Sequence, residues 1–316
     1  MASTAIMDER SGLKHFERDN PMAHSKPTLV LVHGGWQGPS LWTYVIPLLE
    51  RAGYATYPVT LVSPDSDPPV EDFTADVEVV RRAVDTLLEC GKDVILVLFS
   101  YAGYVGCEAL KSFHDEQSTP LQNAAQNTGP DGGVDKKSAK KTDLPSWFAR
   151  PRRGKILHIA FIASYIVAPG MTLWSPRKGD CLPGMENKVS IRKVHVIYYD
   201  RHIDGVVRVL DGPERFFSDL PRPIAEFWAT KLRSQPIKSF YSRFTYPAYL
   251  YYPTSYLACI DDKALAYKIQ DRMAKLAKID PDRVVRVRSG HMVMVSQPMA
   301  VAKFLRQAAG ETFSVL

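Results

Sequence analysis

The chain has 316 residues, 45% of them hydrophobic and 23% charged, enough for one large domain with a substantial buried core. Four cysteines (Cys90, Cys107, Cys181 and Cys259) lie far apart without CxxC spacing, which gives neither a disulfide framework nor a zinc knuckle and points to a reducing compartment. The net charge of +6 traces to one segment, 136–155, where eight Lys or Arg face the single acid Asp143; the rest is near neutral, so no nucleic-acid partner is expected.

Residues 1–26 are polar and mixed in charge, lack the apolar stretch of a signal peptide, and read as a flexible lead. No run approaches 18 apolar residues, so no membrane span is expected and a cytoplasmic protein is. From Pro27 onward short β-rich runs alternate with amphipathic helices, the pattern of a mostly parallel, doubly wound α/β sheet. Thr28 to Val32 is the first strand, followed by a helical stretch near 40–52 and a short strand at Thr56 to Val59. Phe73, Val77, Val80, Val84 and Leu87 then share one helix face, and Gly91 stops that helix. Val94 to Phe99 is six apolar residues in a row, as a central strand buried on both faces requires. A helix runs from Tyr101 to about Phe113.

Residues 114–155 break the pattern: rich in Gly, Pro, Asn, Gln and Lys, they read as a disordered surface insertion. The sheet resumes over Ile156 to Val167. Residues 171–250 lose the alternation and turn aromatic, and a segment placed there, between late strands, is expected to be a helical lid. The core therefore comprises 27–170 and 251–316. Its last part holds a strand at Thr254 to Ile260, a helix, an alternating edge strand at Val284 to Arg288, and a final helix with Pro298 in its first turn and Gly310 at its end.

Three places carry chemistry. Ser100 in VILVLFSYAGYVG sits where a buried strand turns sharply into a helix, at the sheet edge where open α/β folds bind ligands. Such a serine is a nucleophile or, taken alone, a helix N-cap. The stretch departs from G-x-S-x-G, with Leu98 at the first glycine position and Ala102 at the second. The second place is His33-Gly34-Gly35-Trp36, after the first strand. Its glycines allow a peptide N–H to face the site, and the amides of Gly35 and Tyr101 are the candidate oxyanion donors; a plain tight turn is the alternative. His33 reads as a structural hydrogen-bonder. The third place is downstream: Asp261 and Asp262 follow one late strand and His291 follows the next. Serine, acid and histidine in that chain order, all at one sheet edge, form a nucleophile–base–acid triad of Ser100, His291 and one of the carboxylates Asp261 and Asp262.

HGGWQGPSLW, the strand–Ser100–helix elbow, CIDDKALA and RSGHMVMVSQP together resemble the α/β-hydrolase superfamily, and most of all the branch of plant methyl-salicylate-type esterases, hydroxynitrile lyases and their fungal relatives. The resemblance runs from about residue 28 to the end, excluding 114–155. It implies Asp262, not Asp261, as the triad acid. Hydroxynitrile lyases of this branch carry Lys after the catalytic His and Thr in the oxyanion loop; here those positions are Met292 and Gly35, as in the esterases.

The resemblance thus implies a serine esterase of secondary metabolism that cleaves a small, largely apolar ester or lactone through an acyl-enzyme. Trp36, Trp174 and Met292 are expected to line the substrate pocket. A lyase or cyclase on the same fold, or a non-catalytic small-molecule receptor, stays open because a triad does not fix the reaction. No cofactor is expected, since no GxGxxG follows a strand, and no metal: His195, Asp200 and His202 match no standard ligand spacing. The oligomeric state stays open, a homodimer included.

Overall fold

A computed structural model describes residues 26–114, 153–174 and 205–313, together with the strand at 197–199. The 114–155 insertion from residue 115 to 152, with the basic segment as far as residue 152, and the His195, Asp200 and His202 group lie outside the described residues.

Six parallel strands form the central sheet: β1 (Thr28–Val32), β2 (Thr56–Val59), β3 (Val94–Phe99), β4 (Ile156–Ile162), β8 (Thr254–Cys259) and β9 (Val284–Val287), in the order β2-β1-β3-β4-β8-β9. After β1 the chain steps to β2 on one side and returns to β3 on the other. The C-terminal ends of β1 and β3 therefore flank the point where the winding reverses, the place where ligands enter such sheets.

Side-chain alternation divides the core in two. Val94, Leu96 and Leu98 of β3 join Val30 and Val32 of β1 on one face, beneath α2 (Thr74–Glu89) and α3 (Ala102–Ala109). Ile95, Val97 and Phe99 join Leu29 and Leu31 on the other, beneath α1 (Ile46–Arg51) and the last helix, Pro298–Ala308. All six β3 residues are fully buried, and each such side chain contributes about 1.5–3 kcal/mol of transfer free energy. β9 is only partly covered, as its alternating sequence predicts for an edge strand. Gly91 and Gly310 close their helices with φ of +72° and +92°, a conformation that costs glycine little.

The chain between β4 and β8 forms an inserted layer whose Phe216 and Phe240 join the two core clusters of the sheet. Beside the helices α4 (Gly212–Arg215) and α5 (Arg222–Ala229) it holds a three-stranded antiparallel sheet of β5 (Ile197–Tyr199), β6 (Val206–Val209) and β7 (Gln235–Pro236). Its sequence suggested helices alone. The β-branched and aromatic runs IYY and VVRV pair as a hairpin, with Gly205 at φ +93° entering β6. The core strands predicted long are shorter here: β4 ends at Ile162, not Val167. The remaining helices are α6 (Tyr267–Leu276), α7 (Val293–Ser296) and α8 (Pro298–Ala308). Among the described residues no helix is long and apolar enough to cross a membrane.

Candidate active site

Ser100 occupies the turn between β3 and α3 with φ of +53°, a region a serine enters only when its surroundings force it. The restraints are visible. Its amide donates to the Ile162 carbonyl at 3.2 Å, and its carbonyl accepts from the amides of Gly103 and Tyr165 and the hydroxyl of Ser164. A Cβ on Gly103 would lie 2.3 Å from Ser164 Oγ and from the Tyr165 carbonyl, so only glycine lets α3 come this close. The outcome is a side chain raised from the C-terminal edge of the sheet.

Ser100 Oγ lies 3.1 Å from His291 Nε2, and His291 Nδ1 lies 2.7 Å from Asp262 Oδ2. Three residues separated by up to 191 positions thus form one hydrogen-bonded run, buried at all three members. The His291 ring sits between Phe99 and Phe216, with centroids 4.9 and 5.3 Å away. Asp262 is fully committed: Oδ1 accepts from the amides of Ala264 and Leu265, and Oδ2 accepts from Gln270 Nε2 at 2.9 Å besides His291. Gln270 is itself buried, its Oε1 accepting from the Cys259 amide, so it ties the acid to the end of β8.

The loop after β1 meets Ser100 directly. A Cβ on Gly34 would stand 2.9 Å from Ser100 Cβ and 3.2 Å from the Phe99 ring. His33 is fully buried: Nδ1 donates to the Gly34 carbonyl at 2.8 Å, and Nε2 accepts from the Leu61 amide at 3.1 Å. This fixes the tautomer and the Gly34–Gly35 peptide plane, so the Gly35 N–H points opposite to that carbonyl. Burial lowers the His33 pKa to about 4, against the pull of its Gly34 bond, and keeps the ring neutral. The structural role expected of His33 is the one it has. A Cβ on Gly35 would lie 3.6 Å from Tyr101 Cβ, which places the two candidate donor residues side by side. Among the described residues neither the Gly35 nor the Tyr101 amide has a backbone acceptor.

Trp36 follows with φ of +61°, held by the inserted layer. Its amide donates to Gln235 Oε1, its carbonyl accepts from the Arg233 amide, and its indole Nε1 donates to the Val207 carbonyl. Trp36 packs against Trp174, Phe216 and Phe240 with centroid distances of 6.0, 5.9 and 5.2 Å, so an aromatic wall stands beside the serine. Met292 differs from the expectation for it. The side chain is fully buried in the core cluster with Phe99 and Phe304, and its sulfur is engaged by Gln37 Nε2 at 3.3 Å, so packing accounts for it.

The sequence reading overlooked the residues that hold these loops. Asp219, beyond α4, accepts from the Gly290 amide at 2.7 Å and the Ser289 hydroxyl at 3.0 Å, one residue before His291. A Cβ on Gly290 would come 2.5 Å from Asp219 Oδ1. Gln235 and Asp219 are single polar residues that bond partners far along the chain, whereas Gln270 bonds Cys259, Asp262 and Leu265 within 11 positions. The one signal at the sequence level is a polar side chain on an otherwise apolar helix face, as with Asp76 and Gln270.

Fold and site together define a protein with a serine at a strained strand-to-helix turn, a histidine–carboxylate pair and a glycine loop at one sheet edge. The model of the alpha/beta hydrolase family matches residues 29–304, and the chain belongs to that family. It is 26% identical over 293 residues to the alpha/beta hydrolase nvfD of Aspergillus novofumigatus, a match covering 92% of this chain and 99% of that one. Among solved structures it superposes on polyneuridine aldehyde esterase with a TM-score of 0.60 at 18% identity, over 89% of this chain and 98% of the other. The Arabidopsis methylesterase MES16 gives a TM-score of 0.56 at 20% identity, over 90% and 99%.

Proposed function

We propose that the protein is a serine hydrolase that cleaves the ester or lactone bond of a small, largely apolar metabolite. The observation that carries this reading is the unbroken run Ser100 Oγ, His291, Asp262, with spacings of 3.1 and 2.7 Å at the mouth of the sheet's winding reversal. Likeness in fold to a methylesterase and to polyneuridine aldehyde esterase points the same way.

His291 Nε2 takes the Ser100 proton as Oγ attacks the carbonyl carbon, while Asp262 holds the Nδ1–H tautomer and stabilises the imidazolium. The amides of Gly35 and Tyr101 receive the oxyanion. Collapse expels the alcohol with a proton from His291, and water repeats the cycle on the acyl-enzyme. The inserted layer acts as a lid, and Trp36, Trp174, Phe216 and Phe240 hold an apolar substrate body through area and ring contacts.

A fluorophosphonate probe should add its phosphonyl mass to Ser100, and turnover of p-nitrophenyl esters should fall about a million-fold in Ser100→Ala. Unchanged turnover in that variant overturns the assignment. Full activity on a metabolite with no probe adduct at Ser100 would instead mark a lyase or cyclase.

A further inference from the structure

Below the site, on the apolar face of α2, lies a carboxylate that the reaction does not touch. Asp76 is fully buried. Four donors converge on it: the amides of Val62 and Ser63 reach Oδ1 at 2.7 and 2.8 Å, and the hydroxyls of Ser63 and Tyr101 reach Oδ2 at 2.5 and 3.0 Å. Burial pushes its pKa up and the same donors oppose that shift.

The polarity of the surrounding bonds follows from this one acceptor-only group. Ser63 has a single proton and gives it to Asp76, so its oxygen accepts from Gln235 Nε2 at 2.7 Å. The other hydrogen of that amide goes to Ser239 Oγ at 2.9 Å, and Ser239 donates onward to the Pro236 carbonyl. Both Gln235 hydrogens are then used, and Oε1 is left facing the Trp36 amide at 3.2 Å. A flipped Gln235 would set N–H against N–H at Trp36, a residue already held at φ +61°. From the same carboxylate oxygen a second arm runs through the Tyr101 hydroxyl to the residue after the nucleophile.

We propose that Asp76 is a positioning residue for the oxyanion hole: through Ser63 and Gln235 it orients the loop that carries Gly35, and through the Tyr101 hydroxyl it anchors the second donor. The inference rests on the reading of the Gly35 and Tyr101 amides as oxyanion donors. Replacing Asp76 by Asn puts a donor where Ser63 and Tyr101 now donate. Ser63 then loses the acceptor for its proton, and the order that fixes Gln235 is lost. Replacing Gln235 by Met removes the last link at similar length and leaves Asp76 and its other donors in place.

The test uses the full chain as wild type, Asp76→Asn, Gln235→Met and Tyr101→Phe. Thermal unfolding is recorded alongside kcat and KM for a p-nitrophenyl ester, and affinity for an alkyl trifluoromethyl ketone, which forms a tetrahedral adduct on serine. The expected result is a kcat about 10- to 100-fold lower with KM within about twofold, and ketone affinity weakened in the same proportion. A merely structural role would lower the unfolding temperature without this parallel loss. If Asp76→Asn does not fold, Gln235→Met and Tyr101→Phe decide. The inference is overturned if the folded variants keep wild-type kcat, or lose kcat while ketone affinity holds. A wild type that neither reacts with a fluorophosphonate nor binds the ketone overturns the hydrolase reading itself, a separate outcome.

Discussion

Leu98 and Gly106 fit one another: a Cβ on Gly106 would stand 2.2 Å from Leu98 Cδ2 and 2.9 Å from Cδ1. The elbow of this chain carries Leu where the common pattern has Gly, two residues before Ser100, and α3 offers a glycine directly opposite. The bulk added on the strand is thus matched by bulk absent from the helix. Gly106→Ala should destabilise the protein by about 1–3 kcal/mol through overpacking. Leu98→Ala alone should also destabilise it, through a cavity. Combined, the two changes should cost clearly less than their sum in denaturant unfolding, because they share one volume. Strict additivity would show that the pair is not coupled.

The two loop glycines make opposite predictions. Gly34→Ala drives a Cβ to 2.9 Å from Ser100 Cβ, against backbone-fixed atoms, so the loop must move away from the serine. Its kcat should fall by about 100-fold or more, the scale of losing one oxyanion donor. In Gly35→Ala the new Cβ meets its neighbours at 3.5 and 3.6 Å, ordinary contact, and the peptide N–H is retained. That variant should stay within about tenfold of wild type. Steady-state kinetics on one p-nitrophenyl ester compares them, and equal losses would contradict the geometry.

Asp262→Asn keeps the shape of the acid but offers an amide to His291 and favours the wrong tautomer. A loss of about 10,000-fold in kcat is expected by analogy with other triads. Gln270→Met should act more gently, about tenfold, because it removes one of the four bonds that aim the carboxylate. A Gln270 variant as inactive as Asp262→Asn would give the glutamine a larger part than the geometry supports.

His158 on β4 bonds Ser255 Oγ at 2.9 Å, and its pKa is lowered to about 4, chiefly by burial and further by Arg283. The unfolded chain takes up this proton near pH 6.5, whereas the native state resists it until about pH 4. Stability from this group is therefore present in full above pH 6.5 and declines as pH falls toward 4. His33, lowered to about 4 as well, adds to the same window. Unfolding temperatures of wild type and His158→Gln, measured between pH 7 and 4.5, should converge at the acid end, since Gln takes no proton. A constant difference across that range would rule the linkage out.

Much of the fold was legible in local pattern. The continuous apolar run of β3, the helix periodicity of α2, the alternation of β9, and the Pro298 and Gly310 boundaries of α8 each depend on neighbours within a few positions. The positions of Ser100, Asp262 and His291 just beyond strand ends placed them at one edge, because every strand of the sheet runs the same way. The hairpin of β5 and β6 was hidden by aromatic composition, and its two strands are only three and four residues long.

By itself the sequence determined a parallel α/β sheet and which three side chains crowd its carboxyl edge, since hydrophobic period and chain order dictate both. Only the tertiary structure decided how the edge is held. Trp36 keeps a left-handed backbone because Gln235, 199 positions away, accepts from its amide, and the loop before His291 is set by Asp219, 71 positions from Gly290. A hydrogen bond requires its partner within about 3 Å, and a single polar residue carries no mark of which distant amide folding will bring to it.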